Sequence, residues 1–556
     1  MSLRAHARPA GKDPVESTQS SNLSPLERAE WIVAVLLSAV VLFLLIARIT
    51  NAGALWRDEC DSVQLARMPT FSDVFENLQY TSFPILFPIV VRLYTTLFGT
   101  SDVALRCFGL AVGIFFLFAA WFHSRSVTRE APLLLPALIG LNATFLTAGT
   151  WLRGYGLGSV LLVLGFSLTA KFLLQPAAGR LIAASLVYIA GMHCLFFNGA
   201  LVPAIVLAAA IGLLRRREVT RTFVFVAAAM LCGISYIPYL LKVYFRTSNW
   251  AKILQVPVRL DYVWREFSVA CGGTHLFVSV AWLVVIFMSI LGAGWQLKVV
   301  WRGERARERG LLLFGLLTIP AAVAAYWTFQ HALRNPPQPR YYLALLCLVA
   351  VAADLIVSNL SRSHGIRIAR LILVVGATLT LPFANWSKIT ERQTDIDTIV
   401  QKLEREAQPN DLIVVNRWSL GIAFNRYYRG PTRWITVPEM NEHRIHRYDL
   451  LQAKMTEFFP LDDVEREIST TSERGNRVWI VNEASFAPRG RAPIVLAPAP
   501  DPKFGWQSYV YSDAWSQQLA AFARRHAERA EVVIHQGRSV SSLENVWLVA
   551  LQGWRY

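Results

Sequence analysis

A succession of long apolar runs constrains this chain more than any other sequence feature. The first run, from Trp31 to Ile49, matches the roughly 20 residues that a helix needs to cross a bilayer. Further runs lie near positions 103–122, 131–149, 155–174, 181–197, 199–214, 222–241, 275–294, 311–329, 341–358 and 371–386. The pattern predicts a polytopic α-helical membrane protein with about eleven transmembrane helices.

The charge distribution divides the chain into two parts. The whole chain has 55 basic and 38 acidic residues, but 54% of its residues are hydrophobic and only 17% are charged. The excess of basic residues falls within 1–386, whereas 387–556 is close to neutral. Basic loops between membrane spans explain that excess better than a nucleic-acid-binding surface does. We therefore predict a membrane domain at 30–386, a soluble domain at 387–556, and no nucleic-acid partner.

The basic loops also predict an orientation. The stretches 215–221, 298–309 and 362–370 are rich in arginine and fall on one side of the predicted topology, together with a disordered tail at 1–29. The positive-inside rule makes that side cytosolic. An odd number of spans then places the first loop, 50–102, and the C-terminal domain on the opposite side. The apolar stretch 83–98 contains two prolines and an arginine, so we interpret it as an interfacial or re-entrant helix.

The C-terminal part alternates between helix and strand patterns. Helices are predicted at 395–407 and 513–529, and strands at 411–416, 477–482, 531–535 and 545–551. This alternation is typical of a small α/β domain with three layers.

Carboxylates are sparse in the membrane domain and concentrate in the first loop. Six acidic residues lie there, and Asp58 and Glu59 follow the first span closely. Carboxylates held beside a bilayer are costly and often functional. The alternative interpretation is that a solvated loop simply contains charged residues.

The order of motifs in this loop favours the functional interpretation. Trp56-Arg57-Asp58-Glu59 precedes 80–84, an amphipathic stretch at 87–94, the turn 98–102 and Arg106. This series is similar to the first external loop of the GT-C superfamily glycosyltransferases, particularly the bacterial relatives of the protein O-mannosyltransferase (PMT-like, glycosyltransferase family 39-like) family. Arg153-Gly154-Tyr155, His193 and Arg340-Tyr341 resemble later motifs of the same family. The chain departs from the family at 81–84, where Thr-Ser-Phe-Pro replaces a His-Pro-Pro-like element.

The resemblance implies an inverting transfer of a sugar from a polyprenyl phosphate to a hydroxyl of a glycan, lipid or protein acceptor. It makes Asp58 the expected base and Glu59 the second candidate or an orienting residue. Arg153, Arg340 and Tyr341 are the expected donor phosphate-binding residues, although each arginine could instead extend towards lipid headgroups. Weaker candidates for substrate contacts are Tyr155, His193 and Glu76, of which His193 could equally be a packing residue. The resemblance also implies a bacterial inner membrane with a periplasmic catalytic face.

Several alternatives stay open at the level of sequence. No metal-ligand spacing is apparent, so we expect no cofactor; a divalent metal is possible but not required. Cys60 and Cys271 both fall in external segments and could form a disulfide. A transporter or flippase of lipid-linked sugars would also need many spans, but it should have repeated halves and charges at mid-membrane. A membrane-anchored assembly protein would tolerate neutralisation of the acids in the first loop.

Overall fold

The computed structural model describes residues 24–81, 83–247, 250–272, 276–300, 306–361, 363–482, 492–534 and 539–555. Most of the predicted tail at 1–29 therefore lies outside the described residues. The membrane domain consists of the following helices. They are α1 (Pro25–Asn51), α2 (Arg57–Ala66), α3 (Phe71–Asn77), α4 (Leu86–Phe98), α5 (Asp102–His123), α6 (Ala143–Ala148), α7 (Gly154–Leu174), α8 (Ala178–Cys194), α9 (Asn198–Arg215), α10 (Val219–Thr247), α11 (Leu260–Gly272), α12 (Leu276–Val300), α13 (Ala306–Leu333), α14 (Leu343–Leu360) and α15 (His364–Thr390).

Among the described residues, eight helices are long and apolar enough to cross a membrane: α1, α5, α7, α9, α10, α13, α14 and α15. Helix α8 and part of α12 are apolar but shorter. Helix α4 has only 13 residues, too few to span a bilayer, in line with an interfacial position. A multi-pass membrane protein is confirmed, whereas the number eleven stays a prediction.

The apolar run at 131–149 does not form the single helix that its hydropathy predicts. A π-helical turn at Pro136–Gly140 is followed by the short helix α6. Between them, the Asn142 side chain accepts hydrogen bonds from the backbone N–H groups of Thr144 and Phe145, at 2.7 and 3.3 Å. An asparagine that caps a new helix in this way ends the preceding turn, and hydropathy alone does not detect it.

The C-terminal domain is a five-stranded sheet with helices on both faces. Strands β1, β2 and β3 are parallel, β4 and β5 pair antiparallel to their neighbours, and the strand order is β2-β1-β3-β5-β4. The elements are α16 (Ile396–Glu406), β1 (Leu412–Asn416), α17 (Leu420–Tyr427), β2 (Arg433–Val437), α18 (Tyr448–Met455), α19 (Asp462–Glu473), β3 (Val478–Asn482), α20 (Ser508–His526), β4 (Ala527–Ile534) and β5 (Trp547–Trp554).

Alternation along the central strands explains the layers. Ile413 and Val415 pack in the core shared with α16, α17 and the membrane domain. Their neighbours Leu412 and Val414 pack in a second core with α18, α19 and α20. A strand that is buried on both faces is typical of a parallel sheet covered by helices. The sequence predicted α16, β1 and β3 closely, but it missed β2 and α17 to α19, and it extended the last helix three residues into β4.

The C-terminal domain is attached directly to the first loop. The Tyr427 hydroxyl accepts a hydrogen bond from the backbone N–H of Leu55 at 2.7 Å and donates one to Asp102 Oδ2 at 2.8 Å. Arg48, at the end of α1, donates to Gln393 Oε1 at 2.7 Å. These contacts clamp α2 between the membrane helices and the sheet domain.

Contacts of α1, α7 and α15 show at which end of the helical bundle the arginine-rich loops lie. Helix α1 begins beside α15, where Arg370 pairs with Glu30 at 2.8 Å, and it ends beside the C-terminal domain. Arg216 lies with the first of these ends, because it donates to the carbonyl of Leu173 at the end of α7. The arginines of 215–217 and 367–370 therefore lie at the end of the bundle opposite to Asp58, as the predicted topology requires.

Candidate active site

Helix α2 begins directly after a buried aromatic contact. Trp56 is 1% exposed, and its ring centroid lies 5.0 Å from that of Trp151. Asp58 and Glu59 occupy the first turn of the helix, where negative charge interacts favourably with the helix dipole. Because residues three apart share a helix face, Asp58 and Asp61 point the same way, whereas Glu59 is rotated by about 100°.

Glu59 serves the packing of the loop. Its side chain is fully buried, and its two carboxylate oxygens accept hydrogen bonds from Arg106 Nη1 at 2.8 and 3.0 Å. The backbone N–H of Leu152 donates a further bond to Glu59 Oε1 at 2.9 Å. Arg106 also donates to the carbonyl of Ala54 at 2.6 Å. Glu59 therefore joins the starts of α2, α5 and α7, and its oxygens are already occupied.

Asp61 contacts Arg153 and His446, two residues from different parts of the chain. Arg153 Nη1 lies 3.2 Å from Asp61 Oδ2, and His446 Nδ1 lies 3.1 Å from Asp61 Oδ1. The backbone N–H of His446 donates to the same Oδ1 at 3.0 Å. Arg153 precedes α7, and His446 precedes α18 of the C-terminal domain. Asp61 thus fixes a membrane-domain arginine and a histidine of the other domain side by side.

Asp58 faces the same two side chains at longer range. Its Oδ2 is 3.8 Å from Arg153 Nη2, and its Oδ1 is 3.6 Å from His446 Nε2. Its side chain is 16% exposed, against 2% for Asp61, so Asp58 is the more accessible of the two. Burial alone would raise the pKa of Asp58, but the charges of Arg153, His446 and Arg340 outweigh burial and lower that pKa below its usual range. Asp58 is therefore an ionised carboxylate with oxygens open to a ligand.

Arg340 supplies a cation that has no carboxylate partner in the described part of the chain. Its guanidinium carbon lies 5.7 Å from the ring centroid of Trp56, 5.8 Å from that of Trp151 and 5.2 Å from that of Tyr341. Its Nε is buried without a hydrogen-bond partner among the described residues. A guanidinium enclosed by aromatic rings with an unused donor is suited to an anionic ligand.

Two cavities adjoin this cluster. Arg340 lines one of about 330 Å³, together with Arg48, Trp151 and Lys388. Tyr341 lines the other, of about 500 Å³. Because Arg340 and Tyr341 are consecutive, the two cavities lie on either side of one short stretch of backbone.

Aromatic side chains dominate the larger cavity. Trp250 stacks between Tyr80 and Tyr448, with ring centroids 5.9 and 4.9 Å away. Trp250 Nε1 and Gln330 Oε1 are buried without hydrogen-bond partners among the described residues. Burial, followed by the nearby charges of Asp58 and Asp61, raises the pKa of the Tyr448 hydroxyl, which therefore stays neutral. Flat rings combined with unused polar atoms suit a ligand that has both apolar faces and hydroxyl groups.

The structure brings together some of the weaker candidates but not others. Tyr155 and Tyr341 both line the larger cavity, with ring centroids 6.0 Å apart. His193 packs its ring against Tyr236 at 5.3 Å, and its Nε2 lies 3.4 Å from Ser235 Oγ, which favours the packing interpretation. Glu76 lies on the exposed side of α3.

Cysteines and metal ligands contribute no further site. Cys60 and Cys271 are both buried and both free. Among the described residues, no group of three or more His, Cys, Asp or Glu side chains is arranged to hold a metal ion.

Sequence reasoning missed three residues of this site: Asp61, His446 and Tyr448. The spacing of Asp61 from Asp58 was a usable signal, because it places both residues on one helix face. His446 is 385 positions from Asp61, and its stretch of sequence carries no motif that indicates the contact.

Comparison with known proteins supports the fold. No known family model matches the chain, and no curated protein matches its sequence. The crystal structure of ArnT from Cupriavidus metallidurans in the apo state is similar over 94% of this chain and 98% of that chain, with a TM-score of 0.53 and 14% identity.

Two further structures are similar at lower scores. ArnT from the same organism bound to undecaprenyl phosphate gives a TM-score of 0.49 at 12% identity, over 93% of this chain and 97% of that one. The oligosaccharyltransferase AglB from Archaeoglobus fulgidus, in complex with an inhibitory peptide and a dolichol-phosphate, gives 0.49 at 10% identity, over 81% and 69%. These two scores are too low to carry an argument. The resemblance to GT-C glycosyltransferases, and to protein O-mannosyltransferases in particular, stays a prediction, whereas the apo ArnT structure shows that this chain has the same fold as ArnT.

Proposed function

We propose that this protein is an integral membrane glycosyltransferase that moves a sugar from a polyprenyl phosphate to an acceptor hydroxyl, with inversion at the anomeric carbon. One observation carries the proposal: the ionised, partly accessible Asp58 lies in the same cluster as Arg340, a cation without a carboxylate partner in the described residues. A transfer of this kind needs a base for the acceptor and a positive charge for the departing phosphate, and these two groups supply them.

Asp58 is the proposed base. An alcohol is a weak nucleophile, so a carboxylate must accept its proton while the new C–O bond forms. Displacement at the anomeric carbon also passes through an oxocarbenium-like state, which a nearby negative charge stabilises. Neither of the two cations that face Asp58 lies within hydrogen-bond distance of its carboxylate oxygens, so lone pairs remain for the acceptor hydroxyl.

Arg340 is the proposed ligand of the donor phosphate. The C–O bond between sugar and phosphate breaks, and the phosphate keeps the electron pair as it leaves. A guanidinium can bind phosphate oxygens through two parallel N–H bonds and neutralise that charge. The cavity beside Arg340 also contains Lys388, although this lysine pairs with Glu391 at 3.1 Å.

Arg153 and Glu59 receive different roles from those that the resemblance implies. Arg153 Nη1 donates to the Asp58 carbonyl at 2.8 Å and to Ser62 Oγ at 3.1 Å, in addition to its contact with Asp61. Nη1 is occupied by these contacts, whereas the buried Nε has no hydrogen-bond partner among the described residues. We assign Arg153 to positioning α2 on the contacts of Nη1. Glu59 is likewise a positioning residue, because Arg106 and the backbone of Leu152 occupy its oxygens.

The larger cavity is the proposed binding site for saccharide. Tyr155 and Tyr341 connect it to the Asp58 cluster, and the stacked rings of Trp250 and Tyr448 offer flat apolar surfaces.

The family resemblance supports a bacterial inner membrane. The charge pattern supports an N-terminus in the cytosol and this site on the extracytoplasmic, periplasmic face. The polyprenyl-phosphate donor rests on the family resemblance and on the partnerless cation of Arg340. The acceptor is a glycan, lipid or protein hydroxyl, and no metal is needed.

The decisive experiment supplies the purified full-length protein, in lipid nanodiscs, with a panel of polyprenyl-phosphate sugars labelled in the sugar. We expect release of free polyprenyl phosphate and transfer of label when membrane extract provides acceptors. The Asp58→Asn variant is the matched control and should release polyprenyl phosphate far more slowly than the wild-type protein. If label crosses proteoliposome membranes without cleavage of the donor, the protein is a flippase and the proposal fails.

A further inference from the structure

The C-terminal domain reaches into the acidic face of α2 through one side chain. His446 lies between β2 and α18, and its imidazole is buried. Its ring packs edge-on against Trp418, with centroids 5.8 Å apart, and stacks on Tyr448 at 5.6 Å. These two aromatic contacts set the orientation of the imidazole from the side of the C-terminal domain.

Both ring nitrogens of His446 face carboxylates. Nδ1 lies 3.1 Å from Asp61 Oδ1, and Nε2 lies 3.6 Å from Asp58 Oδ1. The backbone N–H of His446 donates to the same Asp61 Oδ1 at 3.0 Å, which fixes this residue beside α2. The ring therefore lies between two carboxylates, with Asp58 just beyond hydrogen-bond distance.

Asp61 and Asp58 contact Arg153 and His446 in different ways. Asp61 binds Arg153 and His446 at hydrogen-bond distance, so it determines where these two side chains lie. Asp58 then has one of them beside each of its two oxygens without bonding tightly to either. The Asp58 carboxylate therefore has a neighbouring side chain at each oxygen and stays accessible to substrate.

We propose that His446 is a positioning residue through which the C-terminal domain completes the active site, because Asp61 holds it where its ring lies beside the Asp58 carboxylate and aims that group. The inference rests on the proposed role of Asp58 as the base. It gives the C-terminal domain a direct part in the reaction. The charged and titratable groups that face this pair of residues are Asp61, Arg57, Arg153, Arg340 and Tyr448.

The first test is the pH dependence of sugar transfer. Asp58 must be ionised to act as a base, so activity falls as the pH drops through its pKa. His446→Gln removes one of the charges that lower this pKa, so the acid limb of the kcat profile should move to higher pH. We expect kcat to fall at least tenfold, with KM for the donor changed less than twofold. His446→Lys, which keeps a positive charge, should return the limb towards its wild-type position.

His443→Gln is the matched control. His443 belongs to the same connection between β2 and α18, and its ring packs on Trp434 with centroids 4.5 Å apart. This substitution removes a half-buried imidazole from the same loop but leaves the charges around Asp58 unchanged. It should leave the acid limb in place. Equal effects of the two substitutions on the limb would overturn the proposal.

A second readout needs no sugar transfer. Dicyclohexylcarbodiimide reacts with protonated carboxyl groups, so the pH midpoint of its addition to Asp58, followed by peptide mass spectrometry, reports the ionisation of that residue. The midpoint should rise in folded His446→Gln protein and stay unchanged in His443→Gln. An unchanged midpoint, or a lower melting temperature without a shift, means that His446 is only structural. If the wild-type protein transfers no sugar, the proposed function fails, yet this labelling still tests the contact.

Discussion

Two clusters of buried charge lie at opposite ends of the bundle, and they differ in how completely their charges are paired. At the end away from the C-terminal domain, Arg370 binds Glu30 at 2.8 Å and Glu130 at 2.6 Å, and Arg367 binds Glu27 at 3.2 Å. Each of these three carboxylates contacts one of the two arginines, so every charge in the cluster has a partner of opposite sign. It joins the start of α1 to the start of α15.

The cluster around α2 is incompletely paired. Arg340 has no carboxylate partner in the described part of the chain, and the cations beside Asp58 lie beyond hydrogen-bond distance. Buried charges are costly unless they are paired, so an arrangement of this kind needs an external reason. A phosphate beside Arg340 and a hydroxyl beside Asp58 would complete it. The difference teaches that completeness of pairing, rather than the number of charges, separates a structural cluster from a catalytic one.

The largest expected effect comes from removing the negative charge at the incomplete cluster. Asp58→Asn keeps the size of the side chain but removes the base, so kcat should fall by about 10²–10⁴-fold. Donor binding and the melting temperature should stay close to wild type. Transfer at the wild-type rate, measured as release of polyprenyl phosphate, would exclude Asp58 from the mechanism.

Removing one partner of a buried, fully paired ion pair should instead lower the free energy of unfolding. Glu59→Ala leaves Arg106 buried without its carboxylate, and the loss should be about 3–5 kcal/mol of unfolding free energy. Denaturant titration of the detergent-solubilised protein measures it. Arg370→Ala, at the opposite end, is the matched comparison and should have a similar effect. If Glu59→Ala folds with wild-type stability, Glu59 is not the positioning residue described above.

Arg340→Ala should instead weaken donor binding or turnover and leave stability almost unchanged. Loss of a charge-assisted contact to phosphate weakens donor affinity or turnover by about 1.5–3 kcal/mol, while stability changes little. Equilibrium binding of polyprenyl phosphate to nanodisc-embedded protein measures the affinity directly. Unchanged binding and kinetics would show that Arg340 only extends towards lipid headgroups.

The pH profile of the wild-type protein tests whether the charges around α2 lower the pKa of Asp58. Because the pKa of Asp58 lies below its usual range, its ionised form persists well into acid. We expect the acid limb of kcat/KM to lie below the ordinary aspartate value of about 3.9, with no loss from this group at neutral pH. A limb above that value would contradict the charge arrangement around α2.

The smallest expected effect concerns the cysteines. Since Cys60 and Cys271 are free, dithiothreitol should leave the melting temperature of purified protein unchanged. A drop on reduction would indicate a disulfide that the structure does not contain.

Much of the architecture follows from local patterns. Runs of apolar residues identified most membrane helices, and alternating patterns found β1 and β3, because both signals are local. The break at Asn142 was missed because a cap interrupts a helix without lowering the hydropathy of the run. Strand β2 and helices α17 to α19 were also missed, and their length does not explain it, because β2 is as long as β1 and α19 is longer than α16.

The site was predictable only in part, for physical reasons. The resemblance named Asp58, Glu59 and Arg340 as site residues, and the roles of Asp58 and Arg340 stay predictions. In a helix, consecutive residues point in different directions, and only the structure shows Glu59 bound to Arg106. His446 depends on the docking of two domains, which no local pattern encodes.

The clamp between the C-terminal domain and the first loop has a consequence for biogenesis. Tyr427 fixes the start of α2, and His446 reaches its acidic face, so ribosomes must translate most of the chain before the catalytic centre can assemble. The membrane helices made earlier stay without a complete centre during this interval. Under the proposed function, a nascent chain therefore has no complete centre for a lipid-linked substrate until synthesis is nearly finished.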